Sequence, residues 1–205
     1  MRRLAVSDIH GEGSRLLQAL HAAAYDSAHD RLFLLGDYMD RGTDARLTVA
    51  IIQNLVADGA VALCGNHDLM PGIVVRAHTH LPWWVDNGGD ATIRSFRGLP
   101  PLEVIAWLDR LPLYHEEPDC ILVHAGLTPG VALAEQDPVH LLWIREEFVN
   151  HYRGKRVIFG HTPTVYLHGT WAPWAGDDKL GIDTGAAVGG LLTVVDIDSL
   201  ETWTA

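Results

Sequence analysis

The 205-residue sequence predicts an α/β protein: two packed mixed β-sheets, a β-sandwich core, flanked by helices. Three observations lead there. Apolar runs alternate with amphipathic stretches from residue 4 to residue 64, the pattern of parallel strands joined by right-handed helical crossovers. The same alternation resumes at Cys120. Residues 191–197 and 201–204 then read as closing antiparallel strands, which makes too many strands for one small sheet.

Leu4-Ala5-Val6 reads as a buried strand ending in Ser7-Asp8-Ile9-His10-Gly11. Residues two apart in an extended chain point the same way, so Asp8 and His10 share a side, and Gly11 permits a sharp turn. Ser14 is placed to cap a helix with Leu16, Leu17, Leu20 and Ala24 on its apolar face. Residues 31–35 form a second strand, ending in Gly36-Asp37-Tyr38-Met39-Asp40-Arg41-Gly42. A helix starts at Thr43, runs through Leu47, Ile51, Ile52 and Leu55, and stops near Asp58-Gly59. The third strand, Val61-Ala62-Leu63-Cys64, leads into Gly65-Asn66-His67-Asp68. In parallel sheets the loops at the carboxyl ends of strands form the binding crevice, so the three motifs are predicted to converge.

Residues 70–117 lack any strand-loop motif and read as a helical insertion within a single domain spanning 1–205. Trp83 and Trp84 are assigned to packing inside that insertion rather than to stacking on a substrate ring. Asn87-Gly88-Gly89 reads as a turn. A short helix passes through Ile93 and Phe96, and after Pro100-Pro101 another carries Leu102, Ile105, Leu108 and Leu111 on one side. Cys120-Ile121-Leu122-Val123 is a strand ending in His124-Ala125-Gly126-Leu127. One helix over 139–152 carries Trp143 and Arg145, and Arg156-Val157-Ile158-Phe159 is a strand ending in Gly160-His161-Thr162-Pro163. Residues 180–185 form a further short strand and turn.

With 15 basic against 26 acidic residues, the net charge of −11 argues against a nucleic-acid binder, which needs a basic face. Phosphorylated substrates stay open, because bound cations reverse the local field. Cys64 and Cys120 form no CxxC pair, so a reducing cytoplasm is expected, and no signal peptide or membrane span is read in the sequence. Cys64 reads as a small buried residue with no base to activate it. His21, His29, His78, His80, His115, His140, His151 and His168 are read as surface or core residues.

Five strand-like runs each end in ligand-type residues: Asp8 and His10, Asp37, Asn66, His124, and His161. Six such side chains exceed one four-coordinate zinc site but suit two metals sharing a carboxylate. Two metals about 3.5–4 Å apart can clamp an in-line displacement at phosphorus and lower the pKa of a water.

Asp-x-His, Gly-Asp-x-x-Asp-Arg-Gly, Gly-Asn-His-Asp, His-Ala-Gly-Leu and Gly-His-Thr stand here in one order, from residue 4 to about residue 195. In this the chain resembles the calcineurin-like metallophosphoesterases, and within them the phosphoprotein phosphatase family with its compact bacterial and phage serine/threonine phosphatases. Gly-Asp-x-x-Asp-Arg-Gly is the specific part, since broader phosphodiesterase relatives usually lack the Asp-Arg-Gly. The resemblance implies that Asp8, His10 and Asp37 bind one metal, and that Asp37 bridges to a second held by Asn66, His124 and His161. It implies that His67 protonates the leaving oxygen with Asp40 orienting its ring, and that Arg41 and, less directly, Arg145 hold the phosphate. Asp183-Thr184-Gly185 resembles a late turn near the site, and Asn87-Gly88-Gly89 resembles an Asn-Gly-Gly of the compact bacterial phosphatases, which implies support on the substrate side as an equal alternative to a plain turn. Manganese is the expected metal, with iron, zinc, cobalt and nickel also compatible with the ligands. A carboxylate partner is expected to raise the pKa of His67 and keep it protonated.

The implied reaction is direct attack of metal-bound hydroxide on phosphoserine or phosphothreonine in proteins, with phosphotyrosine as a further class and no phosphoenzyme. The expected partner is thus a phosphorylated protein or peptide, with no nucleic acid and no membrane. An alternative is a symmetrical diadenosine tetraphosphate hydrolase, which shares the core motifs; such enzymes tend to be longer and to open on a different motif. A non-catalytic metal-binding scaffold is the third reading, disfavoured because a scaffold needs neither His67, Asp40 nor Arg41.

Overall fold

Side-chain alternation along the strands decides the layers. In β1 (Arg2–Val6) and β2 (Asp30–Leu34), Leu4, Val6, Leu32 and Leu34 enter one core while Ala5 and Phe33 enter another. The two strands run parallel in register, Leu4 beside Leu32 and Ala5 beside Phe33, so each face of the pair is apolar. The computed structural model describes residues 1–205 and resolves this into two five-stranded mixed sheets.

The first sheet has the order β10-β9-β1-β2-β3, with β3 at Val61–Ala62, β9 at Thr193–Asp196 and β10 at Thr202–Thr204. β1, β2 and β3 are parallel, and β9 and β10 close the edge antiparallel. The second sheet has the order β4-β5-β6-β8-β7, with β4 at Tyr114–Glu116, β5 at Cys120–Val123, β6 at Arg156–Phe159, β7 at Trp174–Ala175 and β8 at Lys179–Gly181. β5, β6 and β8 are parallel, and β4 and β7 are antiparallel edges.

Ala5, Phe33, Leu35, Cys120, Leu122, Ile158 and Val195 form the apolar layer between the sheets. Outside the first sheet lie α1 (Gly13–Ala22) and α2 (Ala45–Ala57), which bury Leu16, Leu20, Val49 and Ile52 against Leu4, Val6, Leu32 and Leu34. Outside the second lie α7 (Pro138–Trp143) and α8 (Glu146–His151), which bury Leu141 and Phe148 against Ile121, Val123, Val157 and Phe159. Between β3 and β4 run α3 (Asn66–Ala77), α4 (Leu81–Trp84), a π-helical turn (Val85–Gly89), α5 (Asp90–Phe96) and α6 (Leu102–Leu108). A short α9 (Val165–His168) follows β6. No helix is long and apolar enough to cross a membrane.

Several boundaries differ from the sequence reading. The helices of the insertion end at Leu108 and not at 117, because Tyr114–Glu116 pairs with β5 as an edge strand too short to show a period. Residues 139–152 form two helices and not one; Ile144 and Arg145 leave the helical conformation between them. Ser14 lies inside the first turn of α1 rather than capping it, Leu17 is 49% exposed, and Ala24 falls beyond the helix. α2 starts at Ala45 and not Thr43, because the Asp44 carboxylate accepts the Leu47 N–H at 3.0 Å, a cap worth about 1 kcal/mol.

Candidate active site

The parallel strands aim their carboxyl ends at one edge of the sandwich, where the loops bond to each other. His10 and Gly11 donate backbone N–H to the carbonyls of Asp37 and Tyr38 at 2.8 and 2.9 Å, and Gly160 donates to the His124 carbonyl at 2.8 Å. Asp8 joins the two sheets' loops, since its Oδ2 accepts the His161 backbone N–H at 2.9 Å. The backbone here is strained. Asp8, His10, Asp37, Asp40, Arg41 and His161 all have φ between 45° and 68°, a region that costs a non-glycine residue of order 1 kcal/mol or more. Such strain persists where the surroundings over-determine it. Gly65 serves close approach: a Cβ there would lie 2.2 Å from Asp37 Oδ1.

The donor set fits two divalent cations. His10 Nδ1 donates to the Met39 carbonyl and His124 Nδ1 to the Leu35 carbonyl, both at 2.8 Å, which leaves each Nε2 unprotonated, the form that ligates a cation. His161 Nε2 is buried with no hydrogen-bond partner. His124 Nε2 faces Asn66 Oδ1 at 2.9 Å, two acceptors that a shared cation satisfies. Asp37 belongs to two clusters whose ligand atoms lie within 4.8 Å of one another, one with His10 and His67, the other with His124 and His161. Its Oδ2 is 3.5 Å from His10 Nε2 and its Oδ1 is 3.5 Å from His124 Nε2. The structure thus brings together Asp8, His10, Asp37, Asn66, His124 and His161, with Asp37 between the two groups.

Burial, reinforced by Asp8, pushes the carboxyls of Asp37 and Asp183 well above the ordinary range. Burial holds His10, His124 and His161 below theirs, and an unprotonated imidazole is the form that binds a cation.

His67 Nδ1 lies 2.8 Å from Asp40 Oδ2, as the motif implied. The expected rise in its pKa does not follow. Burial, with Arg41 beside it, holds His67 well below the ordinary range. Burial also drives Asp40 up to about 6, against the pull of hydrogen bonds from Thr92 and Trp84. Arg41 places its guanidinium nitrogens 2.9 Å from both His10 Nε2 and His67 Nε2. Arg145, at the break between α7 and α8, donates to the His161 carbonyl at 2.6 Å.

Both arginines line a cleft of about 780 Å³, together with Asp8, Asp37, Asn66, His67 and His161. His124 and Asp40 lie buried behind it, and His10 lines a small adjoining pocket with Asp183. None of the eight histidines assigned to surface or core lines the cleft. Trp143 and Tyr166 do line it, 41% and 80% exposed.

Sequence reasoning missed three structural partners. Asp68 accepts backbone N–H from Asp37, Tyr38 and Gly65 at 2.8, 2.9 and 2.8 Å, tying the second motif to the third. Its place at the third position of α3, where a capping-box acid stands, was the available signal. Trp84 and Thr92 both bond Asp40 from across the chain, and no local pattern announces that.

Residues 1–177 match the family model described as calcineurin-like phosphoesterase. The chain belongs to the calcineurin-like phosphoesterases. That family carries a dinuclear divalent-metal centre, in agreement with the paired clusters around Asp37. A symmetrical bis(5′-nucleosyl)-tetraphosphatase of Dechloromonas aromatica is 35% identical over 130 residues, covering 63% of this chain and 45% of that protein. Several other bacterial relatives bear the same name, and the chain spans less than half the length of each of these. Serine/threonine-protein phosphatase 1 of Salmonella typhimurium is 29% identical over 211 residues, 94% of this chain and 90% of that one. Among solved structures, one provisionally assigned as a diadenosine tetraphosphatase superposes with a TM-score of 0.78 at 22% identity, covering 100% of this chain and 92% of its own. At that identity it speaks to the calcineurin-like phosphoesterase fold alone.

Proposed function

We propose that this protein is a two-metal phosphoester hydrolase whose substrate is a dinucleoside tetraphosphate, cut symmetrically into two nucleoside diphosphates. The sequence alone favoured a protein phosphatase; the relatives reverse that order. The observation that carries the reading is the match at up to 35% identity, over 130 residues, to symmetrical tetraphosphatases. The cleft supports it, because it runs past the catalytic groups to exposed Trp143 and Tyr166, apolar faces on which a nucleobase can stack.

Asp8, His10 and Asp37 would hold one ion, and Asn66, His124 and His161 would complete a second around Asp37. Manganese is the proposed metal. Bound ions supply an activated water and neutralise phosphate charge. Arg41 and Arg145, both lining the cleft, would grip the phosphate oxygens of the scissile group. Water adds its oxygen to phosphorus and releases a proton to solvent, the bridging P–O bond breaks, and His67, protonated on both nitrogens, delivers its Nε2 proton to the departing diphosphate. Asp40 accepts from Nδ1 and keeps Nε2 turned outward. The anionic substrate offsets Arg41 and so raises the proton affinity of His67, which burial had lowered.

A second reading, hydrolysis of phosphoserine or phosphothreonine in proteins, is favoured by the near full-length match to the Salmonella typhimurium phosphatase. The two buried unpaired cysteines agree with a cytoplasmic setting, which we also propose. Product analysis separates the readings: with manganese added, diadenosine tetraphosphate should yield ADP alone. Appearance of ATP with AMP, or no cleavage, refutes the symmetrical assignment.

A further inference from the structure

We infer that the helical insertion is a positioning device for the proton donor, in which Thr92 and Trp84 clamp the Asp40 carboxylate so that it aims His67 at the leaving oxygen. The inference rests on the acid role proposed above for His67 and holds for either phosphate ester.

The clamp consumes the whole carboxylate. Oδ1 accepts the Thr92 hydroxyl at 2.6 Å and the Trp84 indole N–H at 3.0 Å. Oδ2 accepts the same indole N–H at 2.9 Å and lies 2.8 Å from His67 Nδ1. Thr92 also accepts the Asp40 backbone N–H at 2.9 Å, so one hydroxyl holds both ends of a residue whose φ is 68°. All three side chains are fully buried, and no water competes for these bonds. With the Thr92 hydroxyl holding Oδ1, Oδ2 is the oxygen turned to the imidazole, and it meets the ring at Nδ1.

The Asn87-Gly88-Gly89 stretch now has a purpose. It joins the helix that ends in Trp84 to the helix that carries Thr92. A Cβ at Gly89 would lie 2.5 Å from Trp84 Nε1, so the glycine lets the indole seat where it reaches Asp40. The Gly88 carbonyl accepts the Arg41 backbone N–H at 3.0 Å, which fixes the next residue along. One insertion therefore holds both the proton relay and the phosphate-binding arginine. Simple packing needs none of these polar contacts.

Burial works against the charged form of Asp40. The bonds from Thr92 and Trp84 act against that tendency.

The test uses Thr92→Val, which keeps volume and removes the hydroxyl, and Trp84→Phe, which keeps a ring and removes the N–H. Each is assayed on phenyl phosphate, a poor leaving group, and on p-nitrophenyl phosphate, a good one, with manganese saturating. General-acid catalysis contributes about 10²–10⁴-fold where the leaving group needs it, and a misaimed acid should lose part of that. Each variant is expected to lose about tenfold more kcat on phenyl than on nitrophenyl phosphate, with KM little changed, and Thr92→Ser should restore the rate. Equal losses on both substrates, or no loss on either, overturn the inference. Should Thr92→Val fail to fold, Trp84→Phe decides. His67→Asn separates the two levels: equal loss on both substrates removes the acid role itself. A selective loss in His67→Asn without one in the clamp variants overturns the clamp alone.

Discussion

Replacing Asp37 by Asn should stabilise the metal-free protein while removing its response to metal. Asp37 is 1% exposed and sits between Asp8, His10 and His124. Without cations its charge is buried beside another carboxylate, and burial resists its ionisation. Asparagine keeps the shape and the Oδ1 acceptor for the His67 backbone N–H, now at 2.9 Å, and puts an amide donor toward His10 Nε2. Burying an ion costs several kcal/mol, and removing a carboxylate charge that no cation offsets should recover about 1–2 kcal/mol of it. At about 2–4 °C per kcal/mol for a chain of this size, the apo melting temperature should rise by several degrees. Manganese should act oppositely. At a free concentration of 100 Kd, each bound ion stabilises the wild type by about 2.7 kcal/mol, and the variant should gain almost none of it. Thermal melts with chelator and with manganese give four values, and the two proteins should exchange rank between conditions. A less stable apo variant, or one that still gains from manganese as the wild type does, refutes the assignment of Asp37 as the shared ligand.

Two further outcomes follow from named contacts. Arg3 joins the two sheets by binding Asp119, at 2.6 Å, and Asp198. It depresses the pKa of both carboxyls, that of Asp119 to about 2, below the 3.8 of the unfolded group. This contribution is therefore present above the unfolded value and lost as pH falls from 3.8 toward 2, so Arg3→Ala should flatten the acid limb of melting temperature against pH. Gly88→Ala places a methyl 2.6 Å from Arg41 Cγ at a φ of 96°. It should lower kcat/KM about tenfold or more on good and poor leaving groups alike, as expected when a phosphate contact of about 1.5–3 kcal/mol is displaced; a loss confined to poor leaving groups contradicts that role for Arg41.

The gathering of the candidate ligands was legible in the sequence because each motif is a contiguous cluster at the end of an apolar run, and parallel strands bring such ends to one edge. Asp8 with His10, Asp37, Asn66, His124 and His161 needed no long-range information beyond that topology. Arg145 was legible as a residue but not as a place: residues 139–152 carry a continuous amphipathic pattern, which does not show the break at Ile144 and Arg145 or the contact of Arg145 with the His161 carbonyl. Trp84 and Thr92 bond Asp40 across 44 and 52 residues, a pairing that periodicity cannot show. The pKa of His67 went the other way for a related reason. Its Asp40 partner was visible in the motif, but the burial that outweighs it is a property of the packed edge. The edge strands β4 and β7, three and two residues long, are too short to alternate.

The most direct test of substrate class is kcat/KM for diadenosine tetraphosphate against a phosphothreonine peptide, measured side by side with manganese. Faster cleavage of the dinucleotide, giving only ADP, is the expected result. Faster release of phosphate from the peptide would contradict it, leaving the metal centre in place and turning the cleft beside Trp143 and Tyr166 into a site for a protein chain.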